Sequence, residues 1–207
     1  MMSDTCKSRA SAHVNGHIDG MNHDLFMANI LGAFTMGLND KINRAVSAAA
    51  GLNSSACYAV VTIGTEPGST IEELRRMLDL EHSSAVRTIA KLETKGLVTK
   101  SRRPCDDKRV VRINLTQAGE DIFCRILDAR QAVLTRVTSK MTEEERSLLN
   151  GLIRKVMPDV VEPGDDQHYV CRLCDMEACN QKICPVNLAY PELTEIPDAP
   201  FRRPRGD

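Results

Sequence analysis

At 207 residues the chain has room for one ordinary domain with appendages, and 42% hydrophobic with 27% charged residues excludes global disorder. No apolar run approaches the roughly 18–20 residues of a membrane span, and the polar N-terminus has no apolar leader, so a cytoplasmic protein without membrane contact is expected. The net charge of -1 marks no nucleic-acid binder by itself, but DNA affinity depends on where positive charge sits rather than on its sum.

Residues 1–22, rich in Ser, Asn, Gly and His, read as a flexible arm. Phe26, Ile30, Phe34, Leu38, Ile42 and Val46 then recur every fourth residue and predict a long helix, broken at Gly51 and Asn53. A second helix begins at Ser54 and ends before Pro67-Gly68. Thr70-x-x-Glu73 has the form of a capping box, and Ile71, Leu74 and Leu78 give the helix behind it one apolar face. Beyond a short link, Ser83 and Ser84 are candidate N-caps for a helix with Ala85, Ile89 and Leu92 inward and Gly96 as its stop. Two short amphipathic helices joined by a tight turn outline a helix-turn-helix. The period then changes: Leu97–Arg103 and Val110–Leu115 read as strands around a turn at Pro104–Asp107, a hairpin "wing". A long helix follows from near Thr116, and Thr142-x-x-Glu145 caps another that Pro158 ends. The predicted class is mainly α with a small β-hairpin wing.

The non-core positions of the second short helix, Ser84, Arg87, Thr88, Lys91 and Lys95, fall on one stripe, with Ser83 at its start. Hydroxyls and Arg suit base edges, and Lys suits phosphates, so this face is what a major-groove helix needs. Standing alone it is as readily a solvated charged face. The hairpin adds Lys100, Arg102, Arg103, Lys108, Arg109 and Arg112 against Asp106 and Asp107, so cations concentrate in one region of a nearly neutral chain.

The segment Thr70–Gly119 resembles the MarR family of bacterial regulators. LETKGLV ends the second helix, Asp107-Lys108-Arg109 looks like that family's D-x-R wing signature, and Leu115-Thr116-Gln117-Ala118-Gly119 is similar to its L-T-x-x-G. The likeness covers roughly residues 24–158. It implies a winged helix-turn-helix in an intertwined helical homodimer, with dimerisation helices at 23–53 and 120–160 around a DNA-binding domain at 54–119. The expected function is a transcriptional regulator, a repressor, on a pseudo-palindromic operator with half-sites about one helical turn apart. Ser83, Ser84, Arg87, Thr88, Lys91, Arg102, Arg103, Lys108 and Arg109 would contact DNA, and Asp107 would orient Arg109. A small-molecule effector is also implied; Phe34, Met36 and Tyr58 could line its cleft, though core packing is the commoner use of such residues.

The tail, 161–207, lies outside the family pattern. Cys171, Cys174, Cys179 and Cys184 are spaced C-x2-C-x4-C-x4-C, tight enough to surround one metal. Zinc is the first candidate. An iron–sulfur cluster is the alternative, since Cys184 is followed by Pro185, and it would make the chain a redox or iron sensor. Cys105, among wing cations, is a possible redox thiol; Cys57 and Cys124 read as small core residues. A metal-dependent enzyme is disfavoured because four clustered thiols leave no open coordination position and no His-Glu-x-x-His or nucleophile elbow occurs. A winged helix used only for protein docking is the third reading.

Overall fold

Helix α1 (His23–Ala50) opens the part of the chain that the computed structural model describes, residues 22–102, 110–161 and 167–189. Asn22 starts it, its side-chain oxygen accepting from the backbone N–H of Asp24 at 3.1 Å and Leu25 at 3.2 Å. The chain divides into two compact units, 1–40 and 41–207. In the first, the helical residues Leu25, Phe26, Met27, Ile30, Leu31, Phe34 and Met36 are all exposed. The four-residue stripe is therefore real as a pattern, but among the described residues its first half is left exposed. Phe34 at 51% and Met36 at 70% exposure correct the core reading of those two side chains.

The second unit is built around α2 (Ser54–Thr65). Asn53 caps it through Ala56 N–H at 2.9 Å, and Cys57, Ala59, Val60, Val61 and Ile63 are buried. With apolar residues on most of its circumference, α2 is the central helix, touching α4, α5 and β3 (ranges below). The Cys57 thiol meets the Val46 carbonyl at 3.7 Å, and burial pushes it up to about 11.

Gly68, at φ 84°, turns the chain into β1 (Ser69–Thr70), which leads straight into α3 (Ile71–Met77). The capping box is complete: the Glu73 N–H donates to Thr70 Oγ1 at 3.2 Å, and the Thr70 N–H donates to Glu73 Oε2 at 2.6 Å. That second bond holds the Glu73 carboxyl below its usual range, so it adds stability above the ordinary carboxylate range that is lost as pH falls. Thr70→Ala should cost about 1 kcal/mol in urea unfolding; an unchanged midpoint would contradict the capping role.

A tight turn with Asp79 at φ 48° joins α3 to α4 (His82–Thr94). The cap of α4 differs from the expectation. Glu81 occupies the N-cap without a side-chain bond, and Ser83 and Ser84 lie inside the first turn. Ala85, Ile89 and Leu92 are buried as the pattern requires.

After Gly96 (φ 68°), β2 (Val98–Ser101) pairs antiparallel with β3 (Arg112–Leu115), Val98 opposite Leu115 and Ser101 opposite Arg112. β1 adds to the other side of β3, giving the order β1-β3-β2. Both strands are shorter than expected, and the third strand is an addition. Val98 and Ile113 point into the core, with Val111 and Leu115 against it. α5 (Gln117–Thr138) is capped by Thr116, whose hydroxyl accepts from Gly119 N–H at 3.2 Å and donates to the Gly96 carbonyl at 2.6 Å. α6 (Glu143–Val156) starts with a second complete capping box, Thr142 with Glu145, and buries none of its residues. A 3-10 turn (Met157–Asp159) leads to the tail, where α7 (Gln167–Cys171) and α8 (Pro185–Ala189) are short. No single helix among the described residues is long and apolar enough to cross a membrane.

Candidate nucleic-acid interface

The buried side of α4 fixes which side faces out. With Ala85, Ile89 and Leu92 locked against the core, Ser83, Arg87, Lys91 and Lys95 are exposed, and Ser84 and Thr88 are half-exposed at the margin. Arg87 lies back along its own helix: Nε donates to the Ser83 carbonyl at 3.2 Å and an amino nitrogen to Ser84 Oγ at 3.4 Å. These bonds place its planar donor fork at the N-terminal end of α4, where positive helix dipole and guanidinium add.

Val86 is an unforeseen member of this face. It is 39% exposed, out of phase with the buried residues, and adjacent to Arg87. Its signal in the sequence is that phase alone. An exposed methyl pair beside a donor fork suits the thymine methyl next to a purine edge.

Not every wing cation points outward. Arg112 is half-buried and donates to the Gly68 carbonyl at 3.0 Å, tying β3 to the turn before β1. Lys100 Nζ meets Glu93 Oε2 at 2.5 Å, an exposed pair that bridges α4 and β2 and is worth at most about 1 kcal/mol. Arg102 is exposed. Arg103, Cys105, Asp107, Lys108 and Arg109, with the hairpin tip, lie outside the described residues.

The four tail cysteines are all half-buried. Cys171 ends α7, Cys174 and Cys179 flank the next turn, and Cys184 immediately precedes α8, its backbone carbonyl accepting from the Leu188 N–H at 2.9 Å. The thiols lie near enough to perturb one another, Cys174 acting most on Cys171 and Cys184 more than Cys174 on Cys179. Bonding from Cys171 and the nearby Arg130 and Arg172 pull Cys174 down to about 6 against the penalty of burial; Cys171 is pushed up, first by that same bond. Burial, followed by Cys184, pushes Cys179 up to about 11. Among the described residues no three His, Cys, Asp or Glu side chains already stand in an arrangement that could hold a metal ion. Tyr58 is half-buried; its hydroxyl is 2.6 Å from Asn43 Oδ1, and the Arg172 guanidinium lies over its ring at 4.9 Å.

An exposed cationic helix, preceded by a short helix and a tight turn and followed by a hairpin, defines a winged-helix DNA-binding protein. The MarR family model matches residues 50–109. The HTH-type transcriptional regulator BilQ of Clostridium symbiosum is 30% identical over 106 residues, 51% of this chain and 73% of that protein. The chain therefore belongs to the MarR family of transcriptional regulators. Among solved structures, the reduced form of MarR from E. coli is 25% identical with a TM-score of 0.53, over 62% of this chain and 96% of that one. A MarR family transcriptional regulator from Listeria monocytogenes, crystallised with a 26mer DNA, shares the fold at 21% identity and a TM-score of 0.50, over 64% and 87%.

Proposed function

We propose that this regulator acts as a homodimeric repressor, placing one α4 per protomer in successive major grooves of a pseudo-palindromic operator and letting go when a small-molecule effector binds. The observation that carries the DNA contact is the two-sidedness of α4: three apolar residues anchor it in the core, and the opposite side offers hydroxyls, an Arg fork and lysines to solvent. Nuclease footprinting tests it. The expected result is two protected half-sites centred about one helical turn apart; a single unpaired half-site contradicts the two-fold arrangement.

The partner copy is supported by two apolar surfaces that are exposed among the described residues. One is the 23–40 part of α1. The other is α6, where Leu148, Leu152, Ile153 and Val156 are exposed although every third or fourth position is apolar. Contiguous exposed apolar residues mark an interface, and a two-fold axis lets one patch cover its own copy. Leu152→Glu, which buries a charge in that interface, should shift the protein from dimer to monomer in sedimentation and weaken operator binding with it. A stable dimer in this variant would place the contact elsewhere. Release by an effector rests on the family alone; it would appear as a footprint lost on adding the ligand.

A further inference from the structure

The candidate DNA interface includes no residue of the four-cysteine tail, yet the tail is built into the molecule. Leu173, between the first two cysteines, packs against the main core. α7 touches α3, and Val186 of α8 is buried where α8 meets the 3-10 turn after α6. Arg172 stacks over both Tyr58 of α2 and Tyr169, and His168 Nε2 lies 3.4 Å from Glu66 Oε1. The segment is thus anchored at both ends, while its middle has turns instead of a core of its own. Short segments without a core commonly draw their folding energy from a metal.

We infer that Cys171, Cys174, Cys179 and Cys184 form a four-thiolate metal centre that braces this tail against the winged helix. All four side chains are half-buried, and they fall on one stretch of fourteen residues that runs between the two anchored ends of the segment. A metal ion would be held there by the four thiolates, their protons being released as it binds. Arg130 of α5 and Arg172 supply positive charge beside Cys174 and offset the negative charge of a tetrathiolate centre. The inference is independent of DNA binding. Zinc and an iron–sulfur cluster share this ligand chemistry, and the experiment separates them.

The full chain is purified anaerobically under reducing conditions and its zinc, iron and acid-labile sulfide are measured; metal-free protein is then titrated with Co2+. One equivalent of zinc in a colourless protein, or iron with sulfide in a brown one, supports the centre and names its occupant. Co2+ should give the intense thiolate charge-transfer and tetrahedral bands, with one equivalent bound. Cys171→Ser and Cys184→Ser should each reduce Co2+ affinity at least tenfold, whereas Cys57→Ser and Cys124→Ser, outside the segment, should keep it. Should a tail variant misfold, the titration of the unsubstituted protein still decides. Protein that carries neither metal and shows no thiolate bands with Co2+, or bands that survive loss of Cys171 and Cys184, overturns the inference.

Discussion

Arg87→Ala lowers affinity for operator duplex about 10- to 100-fold, the ~1–3 kcal/mol attached to one bidentate Arg contact with a base edge. The side chain is exposed, and its contacts run to Ser83 and Ser84 of its own helix, so the protein's melting transition stays within about 0.5 kcal/mol of the parent. Loss of binding without loss of fold is the signature that separates a recognition residue from a packing one. Arg87→Lys sharpens the test. It keeps the charge and gives up the fork, so non-specific binding is retained while discrimination between operator and random duplex falls. Binding by Arg87→Ala equal to wild type, in titrations at the same salt, removes this residue from the interface.

The second large effect is on stability. Gly119 sits where the first turn of α5 presses on the start of the wing. A Cβ there would lie 2.0 Å from the Leu97 carbonyl oxygen and 3.1 Å from its carbon. The obstacle is backbone, so no side chain can swing away. The same Leu97 carbonyl accepts the Thr116 N–H at 3.0 Å, and Thr116 caps α5 while bonding to Gly96, so any shift that relieves the clash breaks these bonds. Gly119→Ala should therefore destabilise by about 3 kcal/mol or more, the upper end of overpacking costs, read as a lowered urea midpoint. A change under ~0.5 kcal/mol would mean that α5 is not seated on the wing in this way. DNA affinity should fall with stability in this variant, in contrast to Arg87→Ala.

What was legible in the sequence was local. Both capping boxes follow from residues three apart, and the buried face of α4 follows from one helical period, so no knowledge of distant partners was needed. Ser83 and Ser84 have the chemistry of caps and so draw the expected start of α4 to themselves; in the fold Glu81 takes the cap position and the serines are left beside Arg87. β1 was invisible because two residues carry no period, and they become a strand only by pairing with Ile113 and Arg112. Counting wing cations overstated the free charge, since a sequence shows Arg112 and Lys100 without the Gly68 carbonyl and Glu93 that engage them. The apolar stripe on α1 predicted a helix correctly, but periodicity cannot say whether the covering surface belongs to the same chain. The cysteine spacing was plain, whereas its anchoring through Arg172 on Tyr58 required the fold.

The most direct test is the salt dependence of binding to a fluorescent operator duplex. If the exposed side of α4 and the wing cations grip phosphates, log K falls linearly with log[salt], with a slope of about -0.9 per phosphate neutralised, and Lys91→Ala flattens that slope by about one. A protein that fails to retain duplex DNA even at low salt, or whose affinity ignores salt, would contradict the account.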